Sequence, residues 1–280
     1  MKSILRLLII NCSLLICTHS VHAQGLWTQR ASLPDSARVA GIGFSIGNYG
    51  YVGLGYGSGY YHDFWQFNPS TNKWIQKADF PGKAVAWPAT FVIGNKAFVV
   101  TGANSSTVDT CYRECWEYDA STDKWIQKTS FQGVSRFGAV GFAIGSKGYI
   151  GTGSDSAFNN LNDFWQYDTA NDIWTKKSNF PGISRYISTA FAVGSKGYLC
   201  FGSSDVITFN DIWRYDTGTD SWIQKSSCPG DSACASSGFV IGTNIFVGTG
   251  SDANGANNVK TFWKYNTVTD AWAKQNDFIG

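Results

Sequence analysis

Apolar positions along this chain form short runs of about four to six residues, broken by glycine, asparagine, aspartate and proline. The run from Gly148 to Gly153 is typical, because Tyr149 and Ile150 are followed at once by small turn-forming residues. Runs of this length with turn signals on both sides predict β-strands. No stretch of the sequence shows convincing helical periodicity. The pattern therefore predicts an all-β protein built of short antiparallel strands.

Tryptophans divide the chain into five units of about 50 residues. Each unit holds two of them at a constant separation, and the pairs are Trp65 and Trp74, Trp116 and Trp125, Trp165 and Trp174, Trp213 and Trp222, and Trp263 and Trp272. Four strand-like runs per unit at this period are typical of a β-propeller, in which each blade packs between two others. We expect five four-stranded blades near residues 36–77, 84–128, 134–177, 183–225 and 231–275.

The third strand of each unit carries a family resemblance. Trp165-Gln-Tyr-Asp168 followed by Trp174, and Trp213-Arg-Tyr-Asp216 followed by Trp222, are similar to the kelch repeat. The double glycine common in that repeat is replaced here, for example by Thr101-Gly102. The sequence resembles most the galactose-oxidase-like propellers of secreted bacterial proteins, and the resemblance implies a kelch-type β-propeller over residues 24–280.

One strand-like run stands outside the five units. Leu26-Trp27-Thr28-Gln29 looks like the fourth strand of a further blade, and three matching strands do not follow the last unit before Gly280. Kelch rings usually close by joining strands from both chain ends in one blade. We therefore expect one unpaired N-terminal strand and an incomplete or truncated ring.

The first 23 residues have the pattern of a secretory signal peptide. Lys2 and Arg6 precede an apolar run from Leu7 to Cys17, which is too short to span a bilayer as a helix. Val21-His22-Ala23 fits a cleavage site. We expect a secreted protein of the periplasm, the cell surface or the extracellular space, with no membrane span in the mature chain.

Charge excludes one class of partner. The chain has 22 lysines and arginines against 20 aspartates and glutamates, and removal of Lys2 and Arg6 with the signal makes the formal charge zero. A nucleic-acid-binding protein would carry a basic stripe, and the sequence has no basic block. We therefore expect no nucleic-acid partner.

Five cysteines remain in the mature chain. In an oxidising compartment, close pairs tend to form disulfides, which predicts a bridge between Cys228 and Cys234 and another between Cys111 and Cys115. Cys200 lies inside a strand-like run and is expected to be a buried thiol.

The resemblance to galactose oxidase raises a copper site, and the histidine count excludes it. Such an enzyme is expected to hold copper with two histidines and two tyrosines, one of them cross-linked to a cysteine. The mature chain contains only His62. We therefore expect no metal and no other cofactor, and we find no complete catalytic constellation, because a Ser-His-Asp triad also lacks a suitable histidine.

One candidate ligand site lies where the repeats differ from one another. Arg38, Arg136 and Arg185 occupy equivalent positions in the segment expected to form the innermost strand, and Trp87 stands nearby in the second unit. Guanidinium groups and an indole at a channel mouth could hold an acidic or sugar ligand. Alternatively, the arginines bond to carbonyls of neighbouring blades or to the repeated acids.

Three functions agree with these features. The first is a non-catalytic binding or scaffold propeller for an extracellular glycan or protein. The second is a metal-independent sugar-modifying enzyme resembling the kelch-fold sialic acid mutarotases, for which no acid can be assigned. The third is a structural repeat segment of a larger surface protein.

Overall fold

The computed structural model describes residues 27–104, 110–205, 207–230, 232–251 and 258–279. The predicted signal peptide lies outside these residues. The described residues form twenty strands and no helix. The strands are β1 Ile42–Ile46, β2 Tyr49–Gly53, β3 Phe64–Asn68, β4 Lys73–Gln76; β5 Ala89–Ile93, β6 Lys96–Val100, β7 Cys115–Asp119, β8 Lys124–Lys128; β9 Val140–Ile144, β10 Lys147–Gly151, β11 Phe164–Asp168, β12 Ile173–Lys177; β13 Thr189–Val193, β14 Lys196–Cys200, β15 Ile212–Asp216, β16 Ser221–Lys225; and β17 Ser237–Ile241, β18 Asn244–Gly248, β19 Phe262–Asn266, β20 Ala271–Lys274.

The strands form five separate four-stranded antiparallel sheets, each made of four consecutive strands. These are the five predicted blades, here numbered 1 to 5 in chain order. Their first strands, β1, β5, β9, β13 and β17, contact one another in that order around a central axis. Two-residue turns join the first two strands of each blade, and Gly47 has a φ of 57° at the first turn position. A positive φ there is what a tight hairpin turn of type II′ requires.

Blades 2 to 4 pack by placing a phenylalanine ring of one blade on a glycine of the next. The ring of Phe91 in blade 2 lies against Gly148 in blade 3, where a Cβ atom would come within 2.3 Å of the ring. Phe142 in blade 3 lies in the same way against Gly197 in blade 4. Phe91 and Phe142 are 3% and 5% exposed. The glycines therefore set how closely the blades approach each other.

A second contact ties the outer edges of neighbouring blades. Asp172 in blade 3 accepts hydrogen bonds from the Tyr167 hydroxyl of its own blade and from the Thr129 backbone N–H of the segment that follows blade 2 (3.0 Å). The Trp174 indole N–H donates to the Thr129 carbonyl (2.9 Å). The backbone N–H and the carbonyl of Thr129 are thus both bound by blade 3. The same arrangement recurs at Asp123, Asp220 and Asp270.

The segments nearest the axis form a ladder of backbone hydrogen bonds from blade to blade. Trp87 N–H donates to the Ala40 carbonyl, Gly138 to Trp87, Ile187 to Gly138 and Ala235 to Ile187, over 2.7 to 3.0 Å. All five residues have positive φ values between 46° and 62°. Gly138 is the only glycine among these five residues. The other four hold a backbone conformation that L-residues disfavour. The ladder holds the inner segments together despite this cost.

The predicted disulfides are not present. None of the five described cysteines is joined in a disulfide. Cys228 lies between blades 4 and 5, in a core cluster that includes Ile245 and Tyr265. Cys234 lies on the innermost segment, in a bridge with Ser251. Both cysteines are buried, the first in a core cluster and the second on the innermost segment.

The other cysteines are placed by the repeat in a similar way. Cys111 pairs with Ala103 in an isolated bridge, whereas Cys115 begins β7 and is buried. Cys200 is fully buried in β14, as expected of a strand residue. The predicted strand at residues 26–29 is not shown: Leu26 lies outside the described residues, and the first strand within them begins at Ile42. Within the described residues, no helix has the length and apolar character needed to cross a bilayer.

The outer-edge contact predicts a stability effect at Asp172. We expect Asp172→Ala to lower the free energy of unfolding by about 1–3 kcal/mol, because the buried Tyr167 hydroxyl and the Thr129 backbone N–H both lose their acceptor. Asp172→Asn keeps an acceptor and a residue type that tolerates the φ of 57°. Asn72 already does this in blade 1, where its side chain accepts from the Ala31 N–H (2.9 Å). Urea unfolding of both variants checks the prediction, and equal losses in the two would contradict it.

Candidate functional site

The three arginines predicted to face the channel are each paired with an aspartate of their own blade. Arg136 binds Asp163 with two hydrogen bonds, of 2.6 Å from Nη1 and 2.8 Å from Nη2. Arg185 binds Asp211 and Arg38 binds Asp63 with the same two-fold geometry, and all these bonds are between 2.5 and 3.0 Å long. Two parallel bonds of this kind are the strongest form of an arginine–carboxylate pair.

In Arg136 and Arg185, the guanidinium groups also donate to backbone carbonyls. In blade 3, Arg136 Nη1 donates to the Thr152 carbonyl and Nε donates to the Val134 carbonyl. The guanidinium carbon lies 4.9 Å from the centre of the Phe131 ring. Arg136 and Arg185 are 0% and 1% exposed. Both groups are therefore enclosed by protein rather than open to a ligand.

The aspartate of each pair also anchors a repeated tryptophan. The Trp165 indole N–H donates to Asp163 Oδ2 (2.7 Å), and Trp213 and Trp65 make the same bond in their blades. Burial acts to raise the pKa of Asp163, but the hydrogen bonds and charge of Arg136 outweigh it and hold the pKa below its ordinary value. The carboxylate is therefore ionised at neutral pH. Blades 1, 3 and 4 each contain one such arginine–aspartate–tryptophan unit.

Trp87 is not part of this arrangement. It lies on the innermost segment, with its ring centre 5.9 Å from that of Phe137. In the described part of the chain, the cation–π contacts of the three guanidinium groups are with phenylalanine and tyrosine rings and not with Trp87. The structure thus places the four residues of the predicted channel site in four separate positions. Of the alternative weighed from the sequence, the bonds to the repeated acids are present, but the carbonyls that Arg136 and Arg185 bind belong to their own repeats rather than to neighbouring blades.

Blade 2 departs from this unit at both of its charged positions. Val85 stands where the arginine is expected, and Glu114 replaces the aspartate. Glu114 Oε2 accepts from the Trp116 indole N–H (2.9 Å) and from the Lys83 backbone N–H (3.2 Å). A carboxylate is thus retained beside the tryptophan, but no guanidinium covers it.

A cleft of about 400 Å³ opens at this point, between blades 1 and 2. Its lining is mostly polar and consists of His62, Pro81, Gly82, Lys83, Ala84, Asn104, Glu114, Trp116 and Gln127. Gly82 is required here, because a Cβ atom would lie 2.5 Å from Trp116 Nε1 and 2.7 Å from Glu114 Oε2. The cleft therefore combines a carboxylate, an ammonium, two amides, an imidazole and an indole.

His62 enters the cleft in a defined orientation. Its Nδ1 lies 2.8 Å from the Phe80 carbonyl oxygen, which can only accept a hydrogen bond, so Nδ1 carries the proton. In the neutral ring, Nε2 is then an acceptor. Among the described residues, no group of three or more histidine, cysteine, aspartate or glutamate side chains is arranged to hold a metal ion.

The cleft was not predicted from the sequence, although the sequence departs from its own repeat at this point. In the second repeat, Val85 stands at the arginine position and Glu114 stands at the aspartate position. A repeat that loses the arginine of an ion pair but keeps a carboxylate leaves that carboxylate without its repeated partner. The change of both residues in the second repeat is the sequence feature that indicates the cleft.

The buried pairs predict a large stability effect. We expect Arg136→Ala to lower the free energy of unfolding by about 3–5 kcal/mol, because Asp163 would be left as a partly buried carboxylate without its cation. Arg113 is exposed, and we expect Arg113→Ala to change stability by less than about 0.5 kcal/mol. Thermal and urea unfolding distinguish the two. A melting temperature that hardly moves in Arg136→Ala would contradict the structural role of this pair.

Comparisons with known proteins agree with this architecture. A structure titled "Structure of YjhT" superposes with a TM-score of 0.72 at 14% identity, and the match covers 86% of this chain and 84% of that one. At this identity the likeness shows the fold alone. Proteins named N-acetylneuraminate epimerase from Brucella suis (strain ATCC 23445 / NCTC 10510) and Brucella melitensis biotype 1 are 32% identical over 111 residues. That match spans 38% of this chain and 28% of each relative, well under two thirds of their length.

A family model described as the KLHDC2/KLHL20/DRC7 Kelch-repeats domain matches residues 88–278. The match covers more than half of the chain and all of blades 2 to 5. The repeated Trp-x-Tyr-Asp strands, the four-stranded blades and this match lead to one conclusion: the chain belongs to the kelch-repeat family.

Proposed function

We propose that this protein is a non-catalytic binding propeller that holds a carbohydrate in the cleft between blades 1 and 2. The observation that carries the proposal is the loss of the arginine–aspartate pair in blade 2, which leaves Glu114 beside an open polar cleft. In blades 1, 3 and 4 the equivalent carboxylate is occupied by arginine. A ligand that donates hydrogen bonds would take the place of the missing guanidinium.

The chemistry of the lining favours a sugar over an apolar ligand. Carbohydrate hydroxyls donate to carboxylates and exchange hydrogen bonds in both directions with amides such as those of Asn104 and Gln127. Trp116 supplies an aromatic surface, and tryptophan is suited to sites that are apolar on one side and wet on the other. Lys83 adds a positive charge that suits a sugar acid.

The similarity to relatives named N-acetylneuraminate epimerase supports N-acetylneuraminate as the first sugar to test. Its carboxylate suits Lys83, and its hydroxyl groups suit Glu114. The enzymatic alternative, a sugar mutarotase, would require an assigned acid and base acting on a bound sugar. Secretion through the predicted signal peptide would place the protein where extracellular glycans occur, and this remains part of the proposal.

The experiment is a glycan array on the purified mature chain, followed by calorimetry with the sugars that bind. We expect Gln127→Ala to weaken binding about 3- to 10-fold, which is the loss expected for one neutral hydrogen bond of about 0.5–1.5 kcal/mol. A mutarotation assay with N-acetylneuraminate runs in parallel. We expect binding without turnover.

Gln224→Ala provides the matched control. Gln224 pairs with Trp213 in blade 4 as Gln127 pairs with Trp116 in blade 2, and both glutamines are exposed. In blade 4 the Arg185–Asp211 pair is intact, so the control should bind sugar like the unchanged protein. Absence of any bound glycan, equal losses in both variants, or conversion of the sugar would each refute the proposal.

A further inference from the structure

His62 stands at a position where two other repeats hold asparagine. The residue directly before the aspartate of the arginine pair is His62 in blade 1, Asn162 in blade 3 and Asn210 in blade 4. Asn210 Nδ2 donates to the Cys228 carbonyl (3.1 Å). His62 Nδ1 makes the same bond to the Phe80 carbonyl (2.8 Å). Asparagine is therefore sufficient for the structural bond, and the second ring nitrogen of His62 is an addition to it.

This histidine comes together with the two other departures from the repeat. Val85 and Glu114 replace the arginine–aspartate pair in blade 2, and His62 lines the cleft beside them from blade 1. In blades 3 and 4, where asparagine stands at this position, the arginine–aspartate pairs are intact. The residues that differ from these two repeats are thus gathered around one cleft.

The charges that line the cleft are balanced while the His62 ring is neutral. Within the described residues, the other charged side chains of the lining are Lys83 and Glu114, one of each sign. Four further charged side chains on the surrounding segments lie outside the lining, and these are Asp63, which is bound by Arg38, Asp79, Arg113 and Lys128. A proton on His62 would therefore give the lining a net positive charge.

His62 is also the only histidine among the residues that the structure describes. Histidine is the side chain that ordinarily gains its proton between about pH 8 and about pH 5. Carboxyl groups ordinarily change charge below this range, and tyrosine and lysine change charge above it. A change in ligand binding within this range would therefore report on His62.

We infer that His62 makes the cleft select anionic sugars when the pH falls. The inference rests on the carbohydrate binding proposed above and adds its regulation. While the ring is neutral, Nε2 is a hydrogen-bond acceptor and receives a sugar hydroxyl. Once a proton from the solvent binds Nε2, the ring is a cation with a second donor, and a sugar carboxylate is the matching acceptor. One atom thus changes both its charge and the direction of its hydrogen bond.

The rest of the cleft keeps its contacts during this change. Nδ1 carries a proton in both states, so the bond to the Phe80 carbonyl holds the ring in place. Glu114 remains the acceptor of the Trp116 indole and of the Lys83 backbone N–H. Protonation therefore alters the binding chemistry without a rearrangement of the blades.

The test compares N-acetylneuraminate with its methyl ester, a neutral sugar of nearly the same shape. Calorimetry on the purified mature chain is carried out at about pH 7.5 and about pH 5.5, where the free acid stays ionised. We expect the dissociation constant of the acid to fall about 2- to 5-fold at the lower pH, which is the effect of one exposed charge pair. The ester should gain no affinity. Binding of the acid should also take up protons, seen as a measured heat that depends on the ionisation enthalpy of the buffer.

His62→Asn removes the titrating ring and keeps the structural bond, as Asn210 demonstrates in blade 4. We expect this variant to keep its melting temperature, to bind the acid equally at both pH values and to lose the proton uptake. Asn162→His in the His62→Asn background is the matched control. It returns a histidine to the equivalent position of blade 3, where Arg136 and Asp163 are paired, and should not restore the pH dependence.

The outcomes separate this inference from the proposed function. An affinity for the acid that does not change with pH, or a change that persists in His62→Asn, overturns the inference and leaves sugar binding intact. Restoration by Asn162→His overturns it as well, and so does an equal gain for the ester, because the cleft would then not select by charge. If neither sugar binds at either pH, the proposed function fails and the inference fails with it.

Discussion

The rest of the structure depends on the contact between one blade and the next. A four-stranded sheet of five-residue strands has two faces and cannot bury either of them by itself. The rings of Phe91 and Phe142 each bury their surface on a neighbouring glycine, and the tryptophan and aspartate of the outer edge bind the peptide that links the blades. Each blade is therefore stable only when it packs against neighbouring blades.

The charged residues follow from the same constraint. Close packing near the axis encloses Arg136 and Arg185, and an enclosed guanidinium needs a carboxylate and carbonyl acceptors. The repeat provides both in three blades. In blade 2, where Val85 and Glu114 replace the pair, Glu114 still anchors Trp116 but has no guanidinium partner and lines a cleft. Residues that depart from the repeat are therefore the candidates for binding, because the repeated charged residues are held in structural contacts.

The cysteines show how a repeat overrides local spacing. Five residues separate Cys228 from Cys234, a spacing that a small disulfide loop accepts. The repeat nevertheless directs the first into the junction core and the second onto the innermost segment. Cys228 follows blade 4 as Phe80, Phe131 and Phe180 follow blades 1 to 3, and all four side chains are buried. Packing at the junction therefore decides where Cys228 lies, and its proximity to Cys234 in sequence does not.

The sequence by itself determined the all-β class, the number of blades and the four strands in each, because strand length, turn residues and the tryptophan period are local properties that recur five times. It also contained both partners of every arginine–aspartate pair, but not their pairing. Arg136 and Asp163 are 27 residues apart, and they meet only because the innermost segment folds back across the start of β11. The tertiary structure likewise decided that Glu114 lines a cleft and that Phe239 is exposed. Such contacts depend on how blades are stacked around the axis, and that arrangement exists only once several repeats have packed together.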